Sequence, residues 1–235
     1  MPRHRQAGAA GGTPGRLSAV TLEPGILAQG SWALEDVKAD WREESYDAGP
    51  AVVAAADAAI TALRERGSPA HDGVGARLVG HAATPAALTL EIQPIRWALR
   101  LLPGDASLSM AGLCVTRAAD GRWLAGRRAA WLSTWPGRWA LGAGGAVDAG
   151  ENPAQTLVRE LDEEWSVAPE QISARALVCL PHRLVMFVGL AWLPDGAEVV
   201  PDSEHDAHAW WPADVEKWPP EADAGLRRMA SLLAG

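Results

Sequence analysis

The stretch GAVDAGENPAQTLVRELDEEWSV, residues 145–167, gathers Glu151, Glu160, Glu163 and Glu164 with Asp148 and Asp162, and only Arg159 answers them. One arginine cannot neutralise so many carboxylates, so the segment is either a solvated helix face or a place for a cation. Pro153 suits the first turn of a helix, where its missing N–H costs nothing, and the periodicity runs on to about Trp165. At 3.6 residues per turn Glu163 and Glu164 fall within about 60° of Glu160, on either side of it. Ala154, Leu157, Val158, Leu161 and Trp165 fill a different arc. Three carboxylates on one helical face offer the oxygen ligands that a hard divalent cation prefers.

The approach to this helix, LGAGGAVDAGE, is glycine-rich. Gly145, five residues, Glu151, seven residues and then Arg159-Glu160-Leu161-x-Glu163-Glu164 resembles the signature box of the Nudix hydrolases. The chain departs from that pattern at Ser166, where the family usually has glycine to close the helix in a left-handed cap. The resemblance covers the box strongly and residues 105–220 more loosely; residues 1–104 carry no such likeness.

The resemblance implies an α/β/α sandwich around a mixed sheet, with the box as loop–helix–loop. The implied activity is metal-dependent hydrolysis of the diphosphate bond in a nucleoside diphosphate linked to another moiety, such as an NDP-sugar or ADP-ribose. Glu160, Glu163 and Glu164 map onto the family's metal-binding glutamates, with the Gly144 carbonyl as a further ligand and Mg2+, or alternatively Mn2+, as the ion. Arg159 matches the box arginine that holds a glutamate in place, here Glu151. Two groups compete for the general base: Glu160 inside the box and Glu204 in PDSEHDAHAWW, where some relatives place a catalytic glutamate. Phosphate contacts need cations, and Arg127, Arg128 and Arg138 flank the glycines, with Arg128 best placed by analogy. Trp135 could stack on a base or sugar, whereas Trp139 is assigned to the core.

Two other functions share the fold. A non-catalytic Nudix domain that senses a nucleotide metabolite usually carries a basic DNA-binding helical domain, which this acidic chain lacks. An isopentenyl diphosphate isomerase needs a catalytic cysteine in a distinctive loop, and neither Cys114 nor Cys179 sits in one. The long motif of a coenzyme A diphosphatase is absent, since LGAGG stands where Phe-Pro-Gly-Gly belongs. His205 and His208 with Asp206 lack a cysteine or third histidine at companion spacing, so a zinc site is not expected.

The elements that must position these groups are read from periodicity. AGLCVTRAADGRWLAGRRA is two strands around Asp120-Gly121, a dipeptide that tolerates the positive φ of a tight hairpin. RLVMFVGLAWL, residues 183–193, is uniformly apolar and reads as a central buried strand. PEADAGLRRMASLLAG spaces Leu226, Met229, Leu232 and Leu233 as a closing amphipathic helix. Upstream, SWALEDVKADW and PAVVAAADAAITALRERG both carry helical spacing; Val53, Ala56, Ile60 and Leu63 share a face of the second, and Gly67 stops it. Leu88, Leu90 and Ile92 alternate with polar residues as a strand with one wet face. The expected organisation is a disordered tail over 1–16, an α+β region over 17–104 and a Nudix domain over 105–235, the α+β region packing on the domain or on a second subunit.

The 235 residues are 48% hydrophobic, enough to fill a core, and the net charge is -8. That charge excludes a broad basic surface for nucleic acid. Two cysteines form no disulfide framework, and no 18-residue apolar run crosses a bilayer. A soluble cytoplasmic protein, a homodimer, is expected to act on a small nucleotide derivative.

Overall fold

The computed structural model describes residues 23–69, 72–132 and 134–234. The tail expected over residues 1–16 lies outside them. The elements run β1 (Gly25–Trp32), a 3-10 turn (Leu34–Asp36), β2 (Val37–Trp41), α1 (Pro50–Glu65), β3 (Val74–Ala83), β4 (Leu88–Arg96) and a second 3-10 turn (Trp97–Leu101). They continue with β5 (Met110–Arg117), β6 (Trp123–Arg128), β7 (Trp139–Leu141), α2 (Pro153–Trp165), β8 (Gln171–Cys179), β9 (Val185–Trp192), β10 (His205–Trp211), a third 3-10 turn (Val215–Lys217) and α3 (Ala224–Leu233).

Seven strands make the main sheet in the order β1-β8-β9-β5-β6-β10, with β7 pairing on β6. The β5–β9 pair is parallel and the others are antiparallel, so the sheet is mixed. Alternation along β5 feeds two cores. Met110 and Cys114 face the cluster that holds Leu157, Leu161 and Trp165 of α2. Ala111 and Val115 face the cluster that holds Ala230 and Leu233 of α3. The sheet therefore lies between α2 and α3, the α/β/α sandwich the box implies.

Two glycines let α2 settle on this sheet. A Cβ at Gly189 would come within 2.4 Å of Leu157 Cδ1, and one at Gly112 within 2.9 Å of Thr156 Cγ2. The expected central strand is β9, third in the sheet order. The β5–β6 hairpin closes at Asp120-Gly121, but only Gly121 takes a positive φ, at 84°.

The N-terminal region divides between both sheets. β1 joins the main sheet through β8, while β2, β4 and β3 form a three-stranded sheet of their own. Leu78, Leu88, Leu90 and Ile92 of the smaller sheet are fully buried in the same cluster as Leu157 and Leu161, so α2 is packed from both sides. Asn152 Nδ2 donates to the Val37 carbonyl at 2.9 Å, and Trp41 Nε1 to the Glu151 carbonyl at 3.2 Å.

Several sequence expectations change. SWALEDVKADW is not a helix: it spans the end of β1, the 3-10 turn and β2. Its apolar residues fit both periods, and parallel pairing of Val37–Trp41 with Leu88–Ile92 decides for strand. α1 buries Ala56, Ile60 and Leu63 against Ile95, Ala98 and Leu99, but leaves Val53 exposed. Val158 on α2 and Leu232 on α3 are exposed too, each at the edge of its apolar arc. No helix among the described residues is long and apolar enough to cross a membrane.

Candidate active site

The helix that carries the acids is capped at both ends. Asn152 accepts from Ala154 N at 3.0 Å while Gln155 Oε1 accepts from Asn152 N at 3.0 Å, a reciprocal capping box ahead of Pro153. At the other end Ser166 sits at φ 51, ψ 42, the left-handed conformation that glycine would take without strain. The stop is therefore made with serine.

On α2 the three glutamates separate. Glu160 and Glu164, one turn apart, are buried at 7% and 4% exposure, whereas the Glu163 side chain is 58% exposed and reaches Arg159 Nη1 at 3.1 Å. Glu164 Oε1 accepts from Gly144 N at 3.0 Å. Its Oε2 has no hydrogen-bond partner among the described residues, with His205 Nε2 at 3.7 Å. Glu160 Oε1 accepts from Arg159 Nη1 at 2.6 Å, and both its oxygens lie where a Cβ on Gly145 would have to go, about 2.2 and 2.4 Å from it. The glycine approach is thus the space into which the carboxylates point. Gly142 serves the same loop differently: at φ 67 it runs so close to β5 that a Cβ would overlap the Cys114 carbonyl.

Burial drives both carboxyls towards the neutral form. Glu160 is pushed up to about 7, against the pull of Arg159. Glu164 is raised well above the usual carboxylate range by burial, despite the Gly144 N–H, with Glu160 and Glu204 adding to the rise. A bound cation would reverse this.

Arg159 is the hub. Its Nε and Nη2 hold the two oxygens of Glu151, each at 3.0 Å, and Nη2 also donates to the Ala146 carbonyl at 3.0 Å. Thr156 Oγ1 adds 2.7 Å to Glu151 Oε2. Burial alone would raise the Glu151 carboxyl, but Arg159, Thr156 and Asp148 N–H together hold it below its ordinary value. Glu151 is consequently a fixed anion that anchors Arg159 beneath the glycine loop.

Beside Glu164 lies a polar chamber of about 300 Å³, lined by Gly144, Gly145, Glu164, His205, Arg128 and Trp135, together with Arg100 and His182. Arg128 donates from Nε to the Thr134 carbonyl at 3.0 Å and stands 3.9 Å from Glu204 Oε2. Glu204 is raised by burial against the pull of Arg128. His205 packs its ring on Trp165 at 4.4 Å, and its Nδ1 is 3.5 Å from Asp202, too long for a full hydrogen bond. Burial lowers the His205 pKa. Gly126 makes room for this ring, since a Cβ there would meet His205 Cδ2 at 2.3 Å.

Leu113, Arg128, Trp135, Ala140, Leu141 and Met186 are shared with a second, larger cavity of about 500 Å³ between the sheet and α3. This one is mostly apolar: Val178, Leu226, Met229 and Leu233 line it, with Arg138 and Asp223 paired at 2.5 Å.

Not every residue singled out by sequence reaches the cleft. Arg127 points away from Arg128, as neighbours on a strand must, and pairs with Asp206 at 2.6 Å. Arg138 lines only the apolar cavity. Trp139 is half-buried and forms part of the apolar cavity wall, packed on Trp211 at 5.5 Å, so its core assignment holds for one face only. Among the described residues no three His, Cys, Asp or Glu side chains converge as a ready-made metal cage, around His205 or elsewhere. Arg100 and His182 escaped sequence reading because WALRL and LPHRL carry no motif; Asn152 and Gln155 had the spacing of a cap.

The NUDIX domain family model matches residues 109–233. Among solved structures, a Caenorhabditis elegans Ap4A hydrolase binary complex is 24% identical over 53% of this chain and 92% of its own, with a TM-score of 0.42. A MutT NUDIX hydrolase from Burkholderia pseudomallei is 20% identical over 53% of this chain and 97% of its own, TM-score 0.42. The NUDIX domain of Shewanella oneidensis NrtR complexed with ADP ribose is 20% identical over 54% and 88%, TM-score 0.40. No curated protein matches the chain. With the family model covering more than half the sequence and the box residues gathered on one capped helix under the glycine loop, the chain belongs to the NUDIX domain family.

Proposed function

We propose that the protein hydrolyses the diphosphate bond of a nucleoside diphosphate linked to another moiety, with a divalent cation, Mg2+ or Mn2+, at the acidic end of the cleft. One observation carries this reading: Glu160 and Glu164 are buried one turn apart, both raised in pKa by burial, and Glu164 Oε2 has no partner among the described residues. Glu164 lines the chamber with no arginine or lysine paired to it among the described residues, and a buried carboxylate in that state is costly to a fold unless something else neutralises it. The donor set is all oxygen, which fits a hard cation.

Glu160, Glu164 and the outer Glu163, with the Gly144 carbonyl, would hold that cation. When bound it would supply the charge neutralisation that an anionic diphosphate needs before a nucleophile can approach. The chain does the rest. Arg159, held by Glu151, fixes Glu160 from below. Arg128 faces the polar chamber and offers its remaining N–H groups to a phosphoryl oxygen. Glu204, half-exposed beside Arg128, would take a proton from an attacking water, the role it shares as a candidate with Glu160. Trp135, exposed at the junction of the two cavities, would cover the linkage between the diphosphate and the group beyond it. The apolar cavity would then receive that group.

The test is turnover of NDP-sugars, ADP-ribose, dinucleotides and nucleoside triphosphates with magnesium, with and without a chelator. Chelator-sensitive release of two phosphate-bearing products is expected. Tight binding of one of these compounds with no turnover would instead make the chain a nucleotide-binding domain.

A further inference from the structure

The family match begins at residue 109, yet one wall of the polar chamber is built by the chain before it. The 3-10 turn Trp97–Leu101 brings Arg100 into the chamber that Glu164 lines, near Arg128 and His182. Arg100 forms no hydrogen bond or ion pair among the described residues; its guanidinium carbon lies 5.5 Å from the Trp97 ring, with Glu160 and Arg128 within electrostatic reach. A guanidinium rarely lies in a cavity without an anion. Burial lowers its pKa to about 10, with Glu160 opposing and Arg128 reinforcing the fall. His182 is lowered in turn, first by burial and then by Arg100.

The backbone between the Arg100 turn and β5, and the loop beside His182, are held in unusual conformations. Ser107, Leu108 and Arg183 all have positive φ, 53°, 61° and 60°. For a leucine this costs of order 1 kcal/mol or more, and such strain persists only where the surroundings over-determine it. They do so here. Ala106 N donates to the His182 carbonyl at 2.8 Å, Arg77 Nε to the Ser107 carbonyl at 3.0 Å, and Leu78 N to the Leu108 carbonyl at 3.0 Å. The segment that follows the Arg100 turn is therefore tied both to the small sheet and to the β8–β9 loop that carries His182.

We propose that Arg100, with Arg128 and His182, forms an anion subsite that takes the second phosphoryl group of the substrate, in the chamber that Glu164 also lines. This rests on the hydrolase reading for the identity of the ligand, and it adds a substrate-binding residue from outside the matched domain. The guanidinium fork holds a phosphoryl group by two parallel N–H···O bonds, which orients the diphosphate and leaves the far group aimed at the apolar cavity.

The experiment is calorimetric titration of the full chain with inorganic pyrophosphate, with and without magnesium. Arg100→Gln is expected to weaken binding at least tenfold with an unchanged melting temperature. Arg100→Lys, which keeps charge but loses the fork, should recover part of the loss. Arg122→Gln, which removes an equal charge from an exposed pair with Asp120, should stay within twofold of wild type. Wild-type affinity in Arg100→Gln, an equal loss in Arg122→Gln, or no pyrophosphate binding by wild type in either buffer would overturn the subsite. If Arg100→Gln does not fold, Arg100→Lys decides: a loss of fivefold or more supports the fork, and wild-type affinity refutes it. The hydrolase reading fails separately. A chain that turns over none of the diphosphates but loses pyrophosphate with Arg100→Gln keeps the subsite and drops the activity. A turnover-competent chain whose Arg100→Gln variant keeps both KM and pyrophosphate affinity does the reverse.

Discussion

Replacing Glu164 with glutamine separates stability from function, because the same carboxylate is a liability to the metal-free fold and, on the proposed reading, an asset to the reaction. Glu164 is 4% exposed, one oxygen is satisfied by Gly144 N–H and the other by nothing among the described residues. Glutamine keeps the shape and the acceptor for Gly144. Its amide N–H₂ would face His205 Nε2, which lies 3.7 Å from Glu164 Oε2 and can accept in the tautomer with its proton on Nδ1. Relieving an unsatisfied buried group is worth about 1–3 kcal/mol, or about 2–10 °C in Tm for a chain of this length.

The pH dependence has a definite sign. Burial raises the Glu164 carboxyl above its ordinary 4.5, so the folded protein retains a proton that the unfolded chain has lost. Below that value both states are protonated and the variant gains little. As pH rises towards and through the folded value the wild type loses stability and the variant does not. Melting curves in chelator from pH 5 to 8 should therefore diverge, Glu164→Gln melting higher at pH 8. Magnesium should raise the wild-type Tm and leave the variant's nearly unmoved. Turnover should fall at least about a hundredfold, the scale of a lost transition-state electrostatic contact. A variant that melts below wild type at pH 8 in chelator, or that keeps a tenth of its turnover, refutes the argument.

Glu160 carries the same logic with a narrower window: metal-free wild type should lose up to about 3 kcal/mol between pH 4.5 and about 7, and Glu160→Gln should flatten that slope in the same melts. Ser166→Gly relieves the left-handed cap and should stabilise by up to about 1 kcal/mol with unchanged kcat; a fall in Tm would contradict the φ of 51°. Gly145→Ala should cost at least about tenfold in turnover, because its Cβ must displace the Glu160 carboxyl that Arg159 holds, whereas Gly142→Ala meets the Cys114 backbone and should unfold readily on heating. Deleting residues 1–104 removes Leu78, Leu88, Leu90 and Ile92 from the core around α2, so the fragment should be insoluble or melt far below the full chain; a soluble fragment with the full chain's Tm and substrate preference would show that the N-terminal region stands apart.

What was legible in the sequence was local. The box helix, its proline start, the odd serine stop and the Glu151–Arg159 pairing follow from spacing within one helix and one loop, where geometry is set by nearby residues. The wheel placed three acids together, but not which of them the loop would bury. That needed Gly144 and Gly145 to fold back over α2, a contact between residues 20 apart in the chain. SWALEDVKADW misled because short apolar segments fit either period and the partner strand, Leu88–Ile92, lies far along the chain. Arg127 and Arg128 could not be told apart as cleft residues until strand pairing fixed which side of β6 faced Glu204.

The N-terminal region changes what the box can do. In isolation α2 would present Leu157 and Leu161 to the sheet and its opposite flank to water. Here Val37, Leu78 and Leu90 lie in the same buried cluster, and the helix start is tied to β2 through Asn152 and the Val37 carbonyl. Packing from both sides restricts the movement of Glu160 and Glu164, which keeps them buried against the glycine loop rather than swung outward with Glu163. The same region carries Arg100 into the chamber on the Trp97–Leu101 turn, ahead of the positive-φ pair Ser107 and Leu108. Diphosphate chemistry would then reside in the box, while the choice of what is attached to the diphosphate would lie in the wall that residues 97–108 add and in the apolar cavity under α3, so exchanges in that wall should alter KM among substrates before they alter kcat.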